Sequence, residues 1–227
     1  MNCLWCDSDM IPELSWKTLF WLSKPKSLCP SCADRLTIIQ GKRCGKCSRL
    51  SNEEICSDCR WRKLHAPLED PLICNYSVFA YNETMQEMVS KWKYRGDYSL
   101  GKVFKSDYQN AFKQHFSFLA KETLAVPIPL SDERMTERGF NQAKMLADFL
   151  PLKSEDILTR SHSEKQSKKS RRQRITSSNP FHTTYAISTP VLLVDDIYTT
   201  GMTLRHAAFV LKKHECPAVY ALTLIRG

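Results

Sequence analysis

Eight of the ten cysteines fall in four Cys-x-x-Cys knuckles within the first 59 residues: Cys3/Cys6, Cys29/Cys32, Cys44/Cys47 and Cys56/Cys59. No other feature restricts the fold of this chain so tightly. A two-residue gap lets one tight turn aim both sulfurs at a single point, and two such turns complete a tetrahedral thiolate site. Four knuckles therefore supply two four-sulfur sites. Sequential pairing gives Cys3, Cys6, Cys29, Cys32 and Cys44, Cys47, Cys56, Cys59; an interleaved pairing draws on the same eight residues. A disulfide framework is the competing use of these cysteines, and it needs an oxidising compartment. Met1–Cys6 has no basic n-region, apolar run or small-residue cleavage site, so a cytoplasmic chain with reduced thiols is expected. Structural Zn²⁺ in one or two sites is then the expectation. With no evident open coordination position, the metal would be structural and not catalytic. A head of about 60 residues has little core of its own, so the metal would supply much of its folding free energy. Cys74 and Cys216 stand alone and read as small apolar residues.

The 227 residues are enough for a medium domain beside a small one, and the expected division is a four-knuckle zinc-binding head at 1–65 and an α/β domain at 66–227. Arg60–Pro71, with Pro67, Pro71 and mixed charges, reads as the linker. Apolar residues make up 42% and charged residues 25%, which argues against wholesale disorder. The net charge of +9 admits a polyanionic partner, either nucleic acid or a phosphorylated small molecule, without choosing between them. The apolar stretch Leu14–Leu22 is broken by Lys17 and is far short of the roughly 20 residues a bilayer needs, so no membrane insertion is expected.

Beyond the linker, short apolar runs alternate with amphipathic ones. Strands are expected at Ser77–Tyr81, Leu124–Pro129, Val191–Val194 and Ala218–Leu224. Helices are expected at Glu83–Trp92, Asn141–Leu150 and Thr203–Lys213. Strands alternating with helices imply an α/β fold around a parallel sheet. Arg160–Arg174 interrupts the pattern with seven basic residues against Glu164 alone. A charged loop of that length is either functional or a solvated, mobile connection.

Val191–Thr203 reads Val-Leu-Leu-Val-Asp-Asp-Ile-Tyr-Thr-Thr-Gly-Met-Thr. Four aliphatic residues bury a strand, two carboxylates follow, and a hydroxyl-rich turn with one glycine opens a helix. Ligands of open α/β sheets bind at that end of the strands. Amide groups at the helix start, with the Thr199, Thr200 and Thr203 hydroxyls, suit a phosphate. Gly201 lets the backbone approach closely. Asp195 and Asp196 can accept hydrogen bonds from vicinal sugar hydroxyls or hold Mg²⁺ through water. The bland alternative is a strand–turn–helix whose threonines only cap the helix.

This segment resembles the phosphoribosyl-pyrophosphate (PRPP) signature of type I phosphoribosyltransferases. Val126–Ala147, with Val-Pro-Ile-Pro-Leu, Arg134 and Arg138-Gly139-Phe140-Asn141-Gln142, resembles the ComF family of natural-competence proteins, as does Lys93-Tyr94-Arg95-Gly96-Asp97. The knuckles fit that family too, so the resemblance spans nearly the whole chain. It implies a type I phosphoribosyltransferase-like parallel-sheet domain preceded by a small cysteine-rich zinc-binding domain. It implies PRPP binding, with Mg²⁺, by Asp195, Asp196, Thr199, Thr200, Gly201, Met202 and Thr203. Lys93, Tyr94, Arg95, Gly96 and Arg138 would face the pyrophosphate, and Gln166 and Arg174 would belong to a hood closing over it. Ser177 and Lys169 depart from the family's usual residues within that hood. The resemblance further implies a role in DNA uptake beside a helicase-like ATPase, with single-stranded DNA contacted weakly or through that partner. An active phosphoribosyltransferase of amidophosphoribosyltransferase type is the alternative, and no residue stands out as its general base.

Overall fold

The computed structural model describes residues 1–10, 27–65, 69–94, 97–161 and 179–227. Arg95, Gly96, Gln166 and Arg174, with most of the basic stretch, lie outside the described residues.

The core is a five-stranded sheet in the order β1-β7-β6-β2-β3, with every neighbouring pair parallel. Its strands are β1 (Asn75–Ala80), β2 (Leu124–Pro127), β3 (Lys153–Ser154), β6 (Val191–Tyr198) and β7 (Val219–Arg226). A separate antiparallel ribbon joins β4 (Thr159–Arg160) to β5 (Phe181–His182). Alternation along the strands divides the core in two. Leu192, Val194 and Leu222 belong to one buried cluster, while Val191, Leu193 and Ala221 belong to the other. Both faces of the sheet are therefore covered, which explains the unbroken aliphatic run in β6.

The α-helices among the described residues are α1 (Pro30–Ala33), α2 (Ser57–His65), α3 (Glu83–Tyr94), α4 (Lys105–His115), α5 (Asp132–Arg138), α6 (Gln142–Ala147) and α7 (Met202–Lys213). In α3 the side chains of Met85, Met88, Val89 and Trp92 recur at helical spacing and are all buried. Trp92 is thus a core residue, packed on Phe104 and Phe140. Asn141 caps α6 by accepting the Ala143 N–H. Among the described residues, no helix is long and apolar enough to cross a membrane.

Three expectations are corrected. Residues Arg60–His65 are not linker but continue α2, which begins inside the fourth knuckle at Ser57. Arg138 ends a short helix, α5, closed by Gly139 at φ 76°, an element absent from the three helices expected. β6 also runs four residues past Val194, because its pairing with β7 continues to Tyr198 opposite Arg226. The acids therefore stand on the strand itself, not after it.

Candidate functional site

The carboxyl ends of β6 and β2 open onto a cleft of about 290 Å³. Its position follows from topology. β6 runs on through α7 to β7, whereas the connection from β2 leads outward to β3, and diverging connections leave a crevice between the two strands. Pairing between β2 and β6 stops at Pro127 opposite Val194. From Asp195 onward β6 has β7 on one side and open space on the other. Strand alternation would send Asp195 and Asp196 to opposite faces, yet both line the cleft at this strand tip.

Four cationic side chains face them. Lys93, from the end of α3, forms an ion pair with Asp196. Arg134 and Arg138 come from α5, and Arg160 from β4. Burial, with Arg138 and Arg134 nearby, brings the Lys93 ammonium down to about 7. Burial pushes the Asp195 carboxyl up to about 6, against the opposing pull of Lys93 and the three arginines. Arg138 donates to Gln142 Oε1 at 3.0 Å. Arg138 Nε and Gln142 Nε2 are buried donors with no acceptor among the described residues. Buried donors ordinarily find partners, so this wall of the cleft suits a ligand rich in oxygen. Tyr94 is 56% exposed and lies under the Arg138 guanidinium, not in the cleft lining.

Thr199, Thr200, Met202 and Thr203 line the other end of the cleft, and Gly201 shapes the turn between them. Gly201 has φ 73°, and a Cβ there would stand 2.3 Å from the Tyr198 hydroxyl. Only glycine serves both conditions. Behind the turn lies Arg205, which the sequence reading missed. Its Nη1 donates to the Tyr198 hydroxyl at 3.0 Å and to the Thr200 carbonyl at 3.3 Å, while its Nε donates to both oxygens of Asp70. Arg205 is 7% exposed, so Asp70 supplies the counter-charge that makes its burial tolerable. The available signal was a charge at position 205, three residues before buried Ala208 on an otherwise apolar helix face. His206, also missed, joins the cleft lining.

The structure brings the eight knuckle cysteines together in the sequential pairing, Cys3/Cys6/Cys29/Cys32 and Cys44/Cys47/Cys56/Cys59, with all sulfurs of a group within 4.8 Å of one another. All ten cysteines are free thiols. Cys6 and Cys29 sulfurs are 3.7 Å apart, as are those of Cys47 and Cys56. A tetrahedral zinc–thiolate centre has sulfurs about 3.8 Å apart, so each group can hold a Zn²⁺ ion. The chemistry of the donors agrees. The Ser8 hydroxyl holds Cys6 down to about 6, and hydrogen bonding from Cys59 holds Cys47 down to about 4. In the same groups burial pushes Cys32 and Cys56 up, and the hydrogen bond to Cys47 together with burial pushes Cys59 up. Each group thus pairs an acidic thiol with reluctant ones that only a bound cation would deprotonate. Of the isolated cysteines, Cys216 is buried and Cys74 is partly buried against the core.

An all-parallel sheet with paired acids and a threonine turn at a strand tip, joined to two four-cysteine groups able to hold metal, defines an α/β protein with a ligand cleft at its strand tips and a cysteine-rich N-terminal region. No protein-family model matches the chain. It is 41% identical over 232 residues to competence protein ComFC of Bacillus subtilis, spanning 99% of this chain and 95% of that one. It is 31% identical over 230 residues to competence protein ComFC of Streptococcus pneumoniae, over the full length of both. A hypoxanthine phosphoribosyltransferase from Staphylococcus aureus aligns over 62% of this chain and 64% of its own, at 18% identity and a TM-score of 0.27, too loose a likeness to bear on function. The chain belongs to the ComFC family of competence proteins.

Proposed function

We propose that this protein binds PRPP with Mg²⁺ in the β6/β2 cleft and serves DNA uptake in natural competence. The observation that carries the first part is the division of the cleft into two ends. Paired carboxylates at a strand tip suit a ribose diol, and a threonine turn at a helix start suits a terminal phosphate. A phosphorylated sugar with a free diol satisfies both. Lys93, Arg134, Arg138 and Arg160 would meet the pyrophosphate. Mg²⁺, held through water by Asp195 and Asp196, would neutralise part of its charge. Because Lys93 pairs with Asp196, ligand entry exchanges that pair for contacts to diol and pyrophosphate. Calorimetric titration with PRPP and Mg²⁺ should show binding by the wild type and none by Asp195→Asn/Asp196→Asn. Equal binding by both would defeat the proposal.

The role in competence draws on membership of the ComFC family. The protein would work in the cytoplasm beside a helicase-like ATPase on incoming single-stranded DNA, with its net charge of +9 favouring polyanions. Single-strand affinity should then fall steeply as salt rises. A second reading, transfer of the ribosyl group to an unidentified acceptor, is favoured by the four cations gathered where a departing pyrophosphate would develop charge. Pyrophosphate release from PRPP, absent from the double asparagine variant, is its signature.

A further inference from the structure

Arg226, the penultimate residue, reaches two places that the sequence gives no reason to connect. Its Nε donates to the carbonyl of the knuckle residue Cys47 at 3.0 Å. Its Nη1 donates to the carbonyls of Tyr198 and Thr199, each at 3.2 Å. The guanidinium also stacks over the Tyr198 ring, 5.0 Å from its centre. One planar fork therefore spans from the second cysteine group to the threonine turn.

The direction of these bonds matters. In a trans peptide the C=O and the following N–H point opposite ways. The Thr199 carbonyl faces Arg226 and the Thr200 carbonyl faces Arg205. The N–H of Thr200 then points away from Arg226, and that of Gly201 away from Arg205. Neither donates to any described group. Two arginines behind the turn thus hold its carbonyls back, and its amides are left for an anion. Arg205 is anchored on Asp70, within the α/β domain. Arg226 is anchored on a metal knuckle, whose turn the cysteine ligands close.

We propose that Arg226 is a positioning residue through which the second cysteine group, once metal-filled, holds the phosphate turn in its binding conformation. This rests on the reading of the cleft as a PRPP site and adds that its affinity depends on the Cys44/Cys47/Cys56/Cys59 centre and not on the other one. A lysine cannot replace the arginine, because a single ammonium does not reproduce the fork.

The test uses the full chain. Arg226→Ala and Arg226→Lys should each keep two zinc equivalents and an unchanged melting temperature. Both should weaken PRPP·Mg²⁺ binding about tenfold and speed amide exchange at Thr200 and Gly201, read by NMR. Cys59→Ser should weaken binding at least as much, and adding Arg226→Ala to it should cost nothing further. Should Cys59→Ser fail to fold, graded chelation of the wild type, followed at the same two amides, takes its place. Cys29→Ser should leave those amides unchanged. Unchanged exchange and affinity in Arg226→Ala, or penalties that simply add, would overturn the inference. If the wild type fails to bind PRPP, the reading of the cleft falls, while amide exchange in the variants still decides the role of Arg226.

Discussion

The two four-cysteine groups are built alike and placed differently. In each, the amide of the third cysteine donates to the sulfur of the first at 3.3 Å: Cys29 to Cys3 and Cys56 to Cys44. In each, the residue directly after the second cysteine curls back, with Asp7 and Ser48 at φ 59° and 58° and their amides donating to the carbonyls of Cys3 and Cys44. The surroundings diverge. In the first group Cys6 is exposed and Cys29 half-buried; in the second all four cysteines are buried. The first leans on the core through Cys3, Leu28 and Cys32 and through Trp5 beneath Lys91 of α3. The second is tied into the sheet. Ser48 donates to the Asn75 carbonyl and accepts the Ser77 N–H. The Ser77 hydroxyl in turn meets that of Thr223 at 2.7 Å. Equal cages can thus do unequal work: local sequence makes the cage, and its neighbours decide what the cage holds in place.

The largest expected contrast comes from removing one ligand from each group. Cys59→Ser should cost on the order of 5 kcal/mol and one zinc equivalent, since the metal's binding energy there is also folding energy for the sheet edge. Cys6→Ser should also cost one zinc equivalent but only about 1–2 kcal/mol. Calorimetric melting with metal analysis checks both, and equal penalties would break the comparison. Next in size is Asp70→Ala, which leaves buried Arg205 without its counter-charge and should cost about 3 kcal/mol, with weaker PRPP binding as the turn loses its other brace. Gly201→Ala follows, at about 1–3 kcal/mol for strained backbone and a close approach to Tyr198, with PRPP binding lost in titration. Neither change should alter zinc content, which separates damage to the turn from damage to the cages.

The smallest effect involves neither group. Burial raises the Asp195 carboxyl from 3.8 to about 6. The folded protein therefore binds this proton more tightly than the unfolded chain, and between those values stability falls as pH rises. Binding a diol or Mg²⁺ needs the carboxylate, so PRPP·Mg²⁺ affinity should fall as pH drops through about 6, by up to about tenfold per unit. Titrations at a series of pH values check this, and a profile flat to pH 5 would remove Asp195 from the ligand's contacts.

Much of the fold could be read from local pattern. The period in Met85, Met88, Val89 and Trp92 places α3, and the aliphatic run Val191–Val194 marks a strand buried on both faces. Where boundaries moved, a neighbour moved them: β7 keeps β6 extended through the acids, and the fourth knuckle starts α2 where prolines further on suggested a linker. In the site, Asp195, Asp196 and the threonine turn were legible because adjacent residues make the whole pattern. Arg205, His206 and Arg226 were not, since a single charged residue in an apolar stretch carries no period and no spacing.

The sequence alone determined the four cysteine knuckles and the strand–turn–helix, because a two-residue gap or an adjacent pair of acids fixes its own geometry, whereas the sequential pairing of the knuckles came from the tertiary structure. Only the tertiary structure decided that Arg205 would meet Asp70 from 135 residues away and that Arg226 would meet Cys47 from 179. Such pairs depend on which strand ends the sheet order brings side by side, and no local stretch of chain encodes that order.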